Sequence, residues 1–139
     1  MQSVTLKKSA DSFIKRKHPW IFSGAIEKVE GNPSNGETVQ IFTSNKTLIG
    51  SGSFSPSSQI RVRVWSFDPE GKIDIDFFKR KISLAHSLRE KIIDTSKTNA
   101  YRIINAESDG LPGLIVDRYA DYLVCQFLSA GAEFHNEII

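Results

Sequence analysis

The sequence is poor in cysteine and has no long apolar segment. Cys125 is the single cysteine, so no disulfide can form within the chain, as is usual for proteins of a reducing compartment. The opening stretch MQSVTLKKSADSF lacks the apolar core of a signal peptide, and no apolar run approaches the ~18 residues that a membrane-spanning helix needs. These absences exclude a disulfide-linked scaffold and a helical membrane protein, and we expect a cytoplasmic location without membrane association.

The sequence also lacks the usual marks of a catalytic or cofactor site. Gly50 and Gly52 lie in a segment without a strand–loop–helix arrangement, so they do not predict a phosphate-binding loop. No histidine or cysteine spacing is typical of a metal site. The carboxylates Glu107, Asp109 and Asp117 are close in sequence, but no histidine lies near them and Asp109 precedes a glycine, as in ordinary turns. We therefore predict no catalytic residue, no metal site and no cofactor site in this chain.

The net charge of +2 is small, but the charge is unevenly distributed. Residues 1–20 carry a net +4 and residues 71–98 a net +3, whereas residues 21–70 carry −1 and residues 99–139 carry −4. Basic groups are thus concentrated in the first twenty residues and in one later segment. Such local concentrations are more informative about an anionic partner than the overall charge is.

Turn residues and period-two alternation divide the first 70 residues into short strands. The expected strands are Val4–Leu6, Ile21–Val29, Glu37–Phe42, Thr47–Phe54 and Gln59–Phe67. Short strands at this spacing indicate a small antiparallel barrel or sandwich.

The hydrophobic period changes after residues 68–71, which read DPEG. Apolar residues between 74 and 94 recur at helical spacing, with Asp74 and Asp76 at the start and Lys91 near the end, as the helix dipole favours. The expected elements that follow are a strand at Tyr101–Asn105 and a hairpin of Leu114–Asp117 and Tyr122–Leu128. The predicted fold class is therefore α+β, with a small antiparallel barrel or sandwich followed by a helix-plus-hairpin unit.

The last strand of the predicted barrel, residues 59–67, reads QIRVRVWSF. Isoleucine and valine alternate with larger polar or aromatic residues, so one face suits a core while Arg61, Arg63 and Trp65 lie on the other. A fold needs the apolar face but not the arginines. They can bind nucleic-acid phosphates, or they can pair with a carboxylate such as Glu37 across the sheet.

A second basic stretch precedes an aromatic residue near the N-terminus. Lys15, Arg16, Lys17 and His18 are followed by Trp20. This combination offers charge for phosphates and a ring on which a base can stack. The alternative is a solvated basic turn in which Trp20 anchors the core.

Three stretches together identify a family that the chain resembles. They are residues 17–26 (KHPWIFSGAI), residues 50–64 (GSGSFSPSSQIRVRV) and residues 102–133, which include NAESDGLPGLIVDRYADYLVCQFLSAGAE. The chain resembles the N-terminal part of the PUA-containing, S-adenosylmethionine-dependent (SAM-dependent) cytosine-5 methyltransferases of large-subunit ribosomal RNA.

This resemblance implies a division into three parts. Residues 1–70 form a PUA-type barrel that binds RNA, residues 71–130 form an α/β connector, and residues 131–139 begin a helix leading to a methyltransferase domain that is absent here. The family's SAM site and catalytic cysteine belong to that absent domain, so Cys125, which lies in the connector, is not the nucleophile.

The implied partner is ribosomal RNA, held by the basic segment and the arginine strand. The candidate RNA-binding residues are Lys15, Arg16, Lys17, His18, Trp20, Gln59, Arg61 and Arg63. Lys17 stands where relatives often have arginine, and lysine is a point charge that suits a phosphate. Two alternatives stay open, which are a protein-interaction module that forms a homodimer and the PUA module of another RNA-modifying enzyme.

Overall fold

The computed structural model describes residues 2–10 and 16–139. Six strands form a curled sheet in the first half of this part: β1 (Ser3–Leu6), β2 (Trp20–Phe22), β3 (Ile26–Glu30), β4 (Thr38–Phe42), β5 (Leu48–Phe54) and β6 (Ile60–Ser66). Their order across the sheet is β2-β6-β5-β4-β1-β3. Each strand predicted from the sequence is present, although the predicted stretch Ile21–Val29 is divided into β2 and β3 by a short 3-10 turn at Ser23–Ala25.

The sheet is antiparallel except where β1 runs parallel to β4. Strand β1 lies between β4 and β3 in the sheet. Its pairing with β3 is antiparallel. Local turn signals predict hairpins between consecutive strands, but they do not predict the insertion of an N-terminal strand between two later ones.

The apolar faces of these strands enclose the barrel core. Val4, Val39 and Val62 are completely buried, and Ile41 and Val64 are nearly so. Each fully buried valine or isoleucine stabilises the fold by about 1.5–3 kcal/mol relative to exposure. The period-two alternation therefore correctly predicts which side of β4 and β6 faces the core.

The connector contains a helix and a three-stranded antiparallel sheet. Its elements are α1 (Ile75–Ile92), β7 (Ala100–Asn105), a 3-10 turn (Ala106–Asp109), β8 (Leu114–Tyr119), β9 (Tyr122–Phe127) and the short α2 (Ala130–Phe134). Asp74 caps α1 by accepting a hydrogen bond from the Phe77 amide at 2.9 Å. None of the helices in residues 2–10 and 16–139 has the length and apolar character needed to cross a membrane.

The barrel and the connector share a core at Trp65. Although Trp65 lies on the outer face of β6, it is only 3% exposed, because it packs with Phe77 and Phe78 of α1. The alternation in the sequence places Trp65 on this outer face but does not indicate that the face is covered there. An apolar ring on a barrel's outer face is buried when a second unit covers that face.

The segment from residue 130 onward also packs against the barrel. Gly131 lies so close to β5 that an added Cβ would be 2.3 Å from the Ser53 Cβ. His135 contacts Trp65 and Phe78 through ring–ring approaches of 6.0 and 5.2 Å, and burial lowers its pKa. His135 is thus part of an aromatic cluster that joins the C-terminal segment to the barrel and to α1.

Candidate nucleic-acid interface

The pairing of β2 with β6 places Trp20 directly opposite Arg63. The Val64 amide donates to the Pro19 carbonyl at 2.8 Å, which extends the pairing toward the basic segment. Cross-strand neighbours on one face have Cβ atoms about 4.5–5.5 Å apart. Two of the predicted RNA-binding side chains therefore lie side by side.

A carboxylate from the connector joins these two side chains. Glu107 Oε1 accepts a hydrogen bond from Trp20 Nε1 at 2.7 Å and another from Arg63 Nη1 at 2.8 Å. The Arg63 guanidinium also lies 5.4 Å from the centroid of the Trp20 ring. We call Trp20, Arg63 and Glu107 the Glu107 clamp. One face and the polar edge of Trp20 are therefore occupied within the chain.

The partner of Arg63 differs from the alternative that the sequence suggested. Glu37 does not reach across the sheet, because it accepts a hydrogen bond from the Ser34 amide at 2.8 Å. Arg63 pairs instead with Glu107, and both side chains are about a quarter exposed, at 24% and 23%. The ion pair thus lies at the edge of the interface between barrel and connector.

The backbone at the first residue of the 3-10 turn and directly after the turn presents Glu107 to the barrel. Ala106 and Gly110 both have positive φ, 48° and 69°, which for a non-glycine residue costs about 1 kcal/mol or more. Asp109 stabilises this shape, since its carboxylate receives two hydrogen bonds from Arg89 at 2.7 Å and one from the Asn105 amide at 2.6 Å. Burial raises the pKa of Asp109, but these hydrogen bonds and the Arg89 charge outweigh it, so the net pKa lies below its ordinary value.

The three carboxylates that are close in sequence are each engaged with an arginine. The pairs are Glu107 with Arg63, Asp109 with Arg89 and Asp117 with Arg102. Within residues 2–10 and 16–139, no group of three or more histidine, cysteine or acidic side chains is arranged to hold a metal ion. The acidic groups of this loop therefore contribute to the structure of the connector and its contact with the barrel.

The basic turn before β2 is exposed. Arg16, Lys17 and His18 are all exposed, and Lys17 adopts a left-handed conformation with φ 51°. His18 Nδ1 accepts a hydrogen bond from the Trp20 amide at 3.1 Å, which ties the turn to the start of β2. Lys15 lies outside the described residues.

Gln59 and Arg61 lie toward the other end of the β2–β6 pair. The Gln59 carbonyl accepts a hydrogen bond from the Ser23 amide at 2.9 Å. Arg61 donates to the Pro56 carbonyl and borders a shallow groove of about 220 Å³ together with Ser23 and Lys28. The predicted site residues thus form two groups, and in the first group Trp20 contacts both His18 and Arg63.

Residues 4–67 match the model of the PUA-like domain family. Over 137 residues the chain is 51% identical to ribosomal RNA large subunit methyltransferase I of Aeromonas hydrophila and 50% identical to the protein of that name from Aliivibrio fischeri. These alignments cover 99% of this chain but only 34% and 35% of the relatives. The chain therefore spans about a third of the length of the curated relatives that it matches.

A solved structure has the same fold. A protein of Streptococcus mutans that is assigned to the SAM-dependent methyltransferases superposes on the whole chain with a TM-score of 0.84 at 18% identity, and the match covers 36% of that protein. The predicted PUA-type barrel with a connector is thus confirmed as the fold. Residues 4–67 are thus similar to the PUA-like domain family, and over 99% of its length the chain is similar to the N-terminal part of the ribosomal RNA large subunit methyltransferase I proteins.

Proposed function

We propose that this chain is the RNA-binding N-terminal portion of a SAM-dependent cytosine-5 methyltransferase of large-subunit ribosomal RNA. The observation that carries the proposal is the identity of about half of all residues, along 99% of the chain, to ribosomal RNA large subunit methyltransferases. This identity continues through the connector, which argues against a barrel that belongs to another class of RNA-modifying enzyme.

In this proposal the three parts of the chain have different tasks. Residues 1–70 bind RNA, residues 71–130 connect, and residues 131–139 lead toward a catalytic domain outside this chain. Activation of the cytosine and methyl transfer from SAM belong to that domain. The chain alone is then expected to bind RNA and to turn over no substrate.

The glycines of β5 do not fit a SAM site. A Cβ on Gly50 would lie 2.1 Å from the Ser66 carbonyl oxygen, and one on Gly52 would lie 2.5 Å from the Arg63 carbonyl oxygen. Both glycines therefore allow β6 to approach β5 closely, and they leave no cradle for a cofactor. In this proposal, no step of the methyl transfer is assigned to residues of this chain.

The exposed basic groups are suited to phosphates. Arg16 and Lys17 present their charges on an exposed turn, and Arg63 gives only one of its five N–H donors to Glu107. Charge-assisted contacts of this kind make binding strongly dependent on salt. We assign Arg16, Lys17, His18, Gln59, Arg61 and Arg63 to the RNA-facing surface, and Lys15 precedes them in sequence.

A titration of the full chain with structured fragments of large-subunit ribosomal RNA tests this assignment. The triple variant Arg16→Ala/Lys17→Ala/Arg61→Ala leaves the Glu107 clamp intact. We expect it to weaken binding by about tenfold or more and to reduce the dependence of log K on log salt by about 2–3, since up to three phosphate contacts are lost.

The control variant has the same change in charge at distant positions. It is Lys46→Ala/Lys91→Ala/Lys97→Ala, in the β4–β5 turn and around the end of α1. The control is expected to retain most of the affinity. Equal losses in the two triple variants would mean that the basic turn and Arg61 are not the RNA surface.

A second candidate function is protein interaction, and the edge strand β9 favours it. Tyr122, Leu123 and Val124 are 77%, 61% and 45% exposed. Open edge strands with apolar side chains are common sites of pairing between chains. Sedimentation at several salt concentrations discriminates the two functions: a monomer that binds RNA supports the first, and a salt-insensitive dimer without RNA affinity supports the second.

A further inference from the structure

We infer that the RNA surface extends from the barrel onto the connector, where Lys81 of α1 binds a phosphate of the same RNA strand. This inference rests on the proposed function but adds a residue and a structural unit to it. In this arrangement the barrel alone does not form the complete site.

Lys81 is held in place although it has no anionic partner. Its ammonium lies 5.8 Å from the centroid of the Phe77 ring. A Cβ on Gly110 would lie 2.7 Å from Lys81 Nζ and 3.3 Å from Cε, so the side chain extends across the bare backbone of that glycine. Among residues 2–10 and 16–139, no carboxylate forms an ion pair with Lys81.

This arrangement differs from that of two arginines in the same unit. Arg89 and Arg102 are each neutralised by an aspartate. The Lys81 stem, in contrast, is packed against Phe77 and Gly110, while its charge is not compensated. A lysine whose stem is ordered loses less rotamer entropy when it binds an anion, and it acts as a compact point charge.

Lys81 is close to the Glu107 clamp. Gly110 donates its amide to the Glu107 carbonyl at 3.1 Å, so these two residues are one 3-10 turn apart, or about 6 Å. Glu107 in turn contacts Arg63 at 2.8 Å. The Lys81 ammonium and the Arg63 guanidinium are therefore separated by a distance that a few nucleotides of single strand can span.

The charge between these two groups permits a continuous anionic ligand. Glu107, which connects Gly110 to Arg63 in this series of contacts, is paired with Arg63, and the neighbouring Asp109 is paired with Arg89. Lys81 on the connector adds an uncompensated positive charge to those of Arg16 and Lys17 on the barrel. Such a surface favours a polyanion over a single small anion because the cationic groups are spread over both units.

The variant Lys81→Met tests the inference in the full chain, because methionine keeps an unbranched stem over Phe77 and removes only the charge. Lys79→Met is the matched control, since residues two positions apart project from nearly opposite sides of a helix. Each variant is titrated with a structured ribosomal RNA fragment between about 50 and 200 mM salt. Thermal unfolding by circular dichroism checks that both variants are folded.

We expect Lys81→Met to weaken RNA binding about three- to tenfold and to lower the salt slope by about 0.7–0.9, the value for one phosphate contact. Lys79→Met is expected to leave the slope unchanged, and Lys81→Arg, which restores the charge, to return it to that of the wild type. An unchanged slope in Lys81→Met, or an equal decrease in Lys79→Met, overturns the inference.

Failure of the inference can be distinguished from failure of the proposed function. If the wild-type chain binds RNA and the triple variant of the basic turn and Arg61 does not, while Lys81→Met binds normally, the site is confined to the barrel. If the wild-type chain does not bind RNA at all, the proposed function fails and the inference fails with it.

Discussion

Replacing Glu107 by glutamine tests how strongly the connector is fastened to the barrel. Glutamine keeps an oxygen that can accept the Trp20 N–H, so the change mainly removes the charge that pairs with Arg63. The two side chains are 2.8 Å apart and about a quarter exposed, at 24% and 23%. Exposed pairs contribute about 0.2–1 kcal/mol, and breaking a buried pair costs about 3–5 kcal/mol. We therefore expect a coupling energy of about 1–2 kcal/mol.

A double-mutant cycle measures this coupling directly. The free energy of unfolding is determined by urea denaturation for the wild type, Glu107→Gln, Arg63→Gln and the double variant. Their m-values should agree, which indicates that all four proteins expose the same surface on unfolding. The coupling is the part of the double variant's destabilisation that the two single variants do not explain by addition.

The chain contains its own control pair. Lys28 and Glu30 are 2.6 Å apart but 64% and 50% exposed, so the same cycle on them should give a clearly smaller coupling than that of Arg63 and Glu107. A coupling below about 0.3 kcal/mol for Arg63 and Glu107 is within the range of independent sites. That result would refute the clamp as an energetic link between the two units.

Two further predictions concern packing and acid stability. Gly131→Ala should destabilise the protein by about 1–3 kcal/mol, because the added Cβ would overlap Ser53. Gly24→Ala is the control in thermal unfolding, since a Cβ at Gly24 meets nothing within 4 Å. Equal changes in the stability of the two variants would contradict the close contact at Gly131. Because the folded pKa of Asp109 is lowered, its pairing with Arg89 stabilises the protein above the pKa of the unfolded chain, about 3.9, and this stabilisation is lost as the pH falls through the folded pKa. Urea denaturation between pH 7 and pH 3 should therefore show the wild type approaching Asp109→Asn in acid, and a difference in stability that does not depend on pH would contradict this account.

Much of the fold follows from local patterns in the sequence. Period-two alternation identifies β4 and β6 and the side of each that faces the core, and helical spacing identifies α1 with an error of one residue at its start and two at its end. The glycines of β5 indicate a bulge or a close backbone approach, and β6 lies against them with a register shift between Ser51 and Gly52. These features depend on near neighbours in the chain, so they can be predicted without knowledge of the tertiary structure.

The candidate site is predicted only in part. The exposed basic turn at Arg16 and Lys17 agrees with a run of charged residues that has no apolar period. The role of Arg63 was not predictable, because its carboxylate partner is 44 residues away in sequence, and Glu107 is 87 residues from Trp20. A sequence pattern indicates that an arginine lies on the outer face of a strand, but it does not indicate what covers that face.

The sequence by itself determines the barrel, the helix and the hairpin, together with the resemblance to ribosomal RNA methyltransferases. Only the tertiary structure decides what covers the outer face of β6. Trp65 on that face is buried under the connector, and Arg63 on the same face is bound by Glu107. The physical reason is that alternation and helical period are properties of short segments. The partner of a charged or aromatic side chain, in contrast, depends on which distant loop the packed core brings against it.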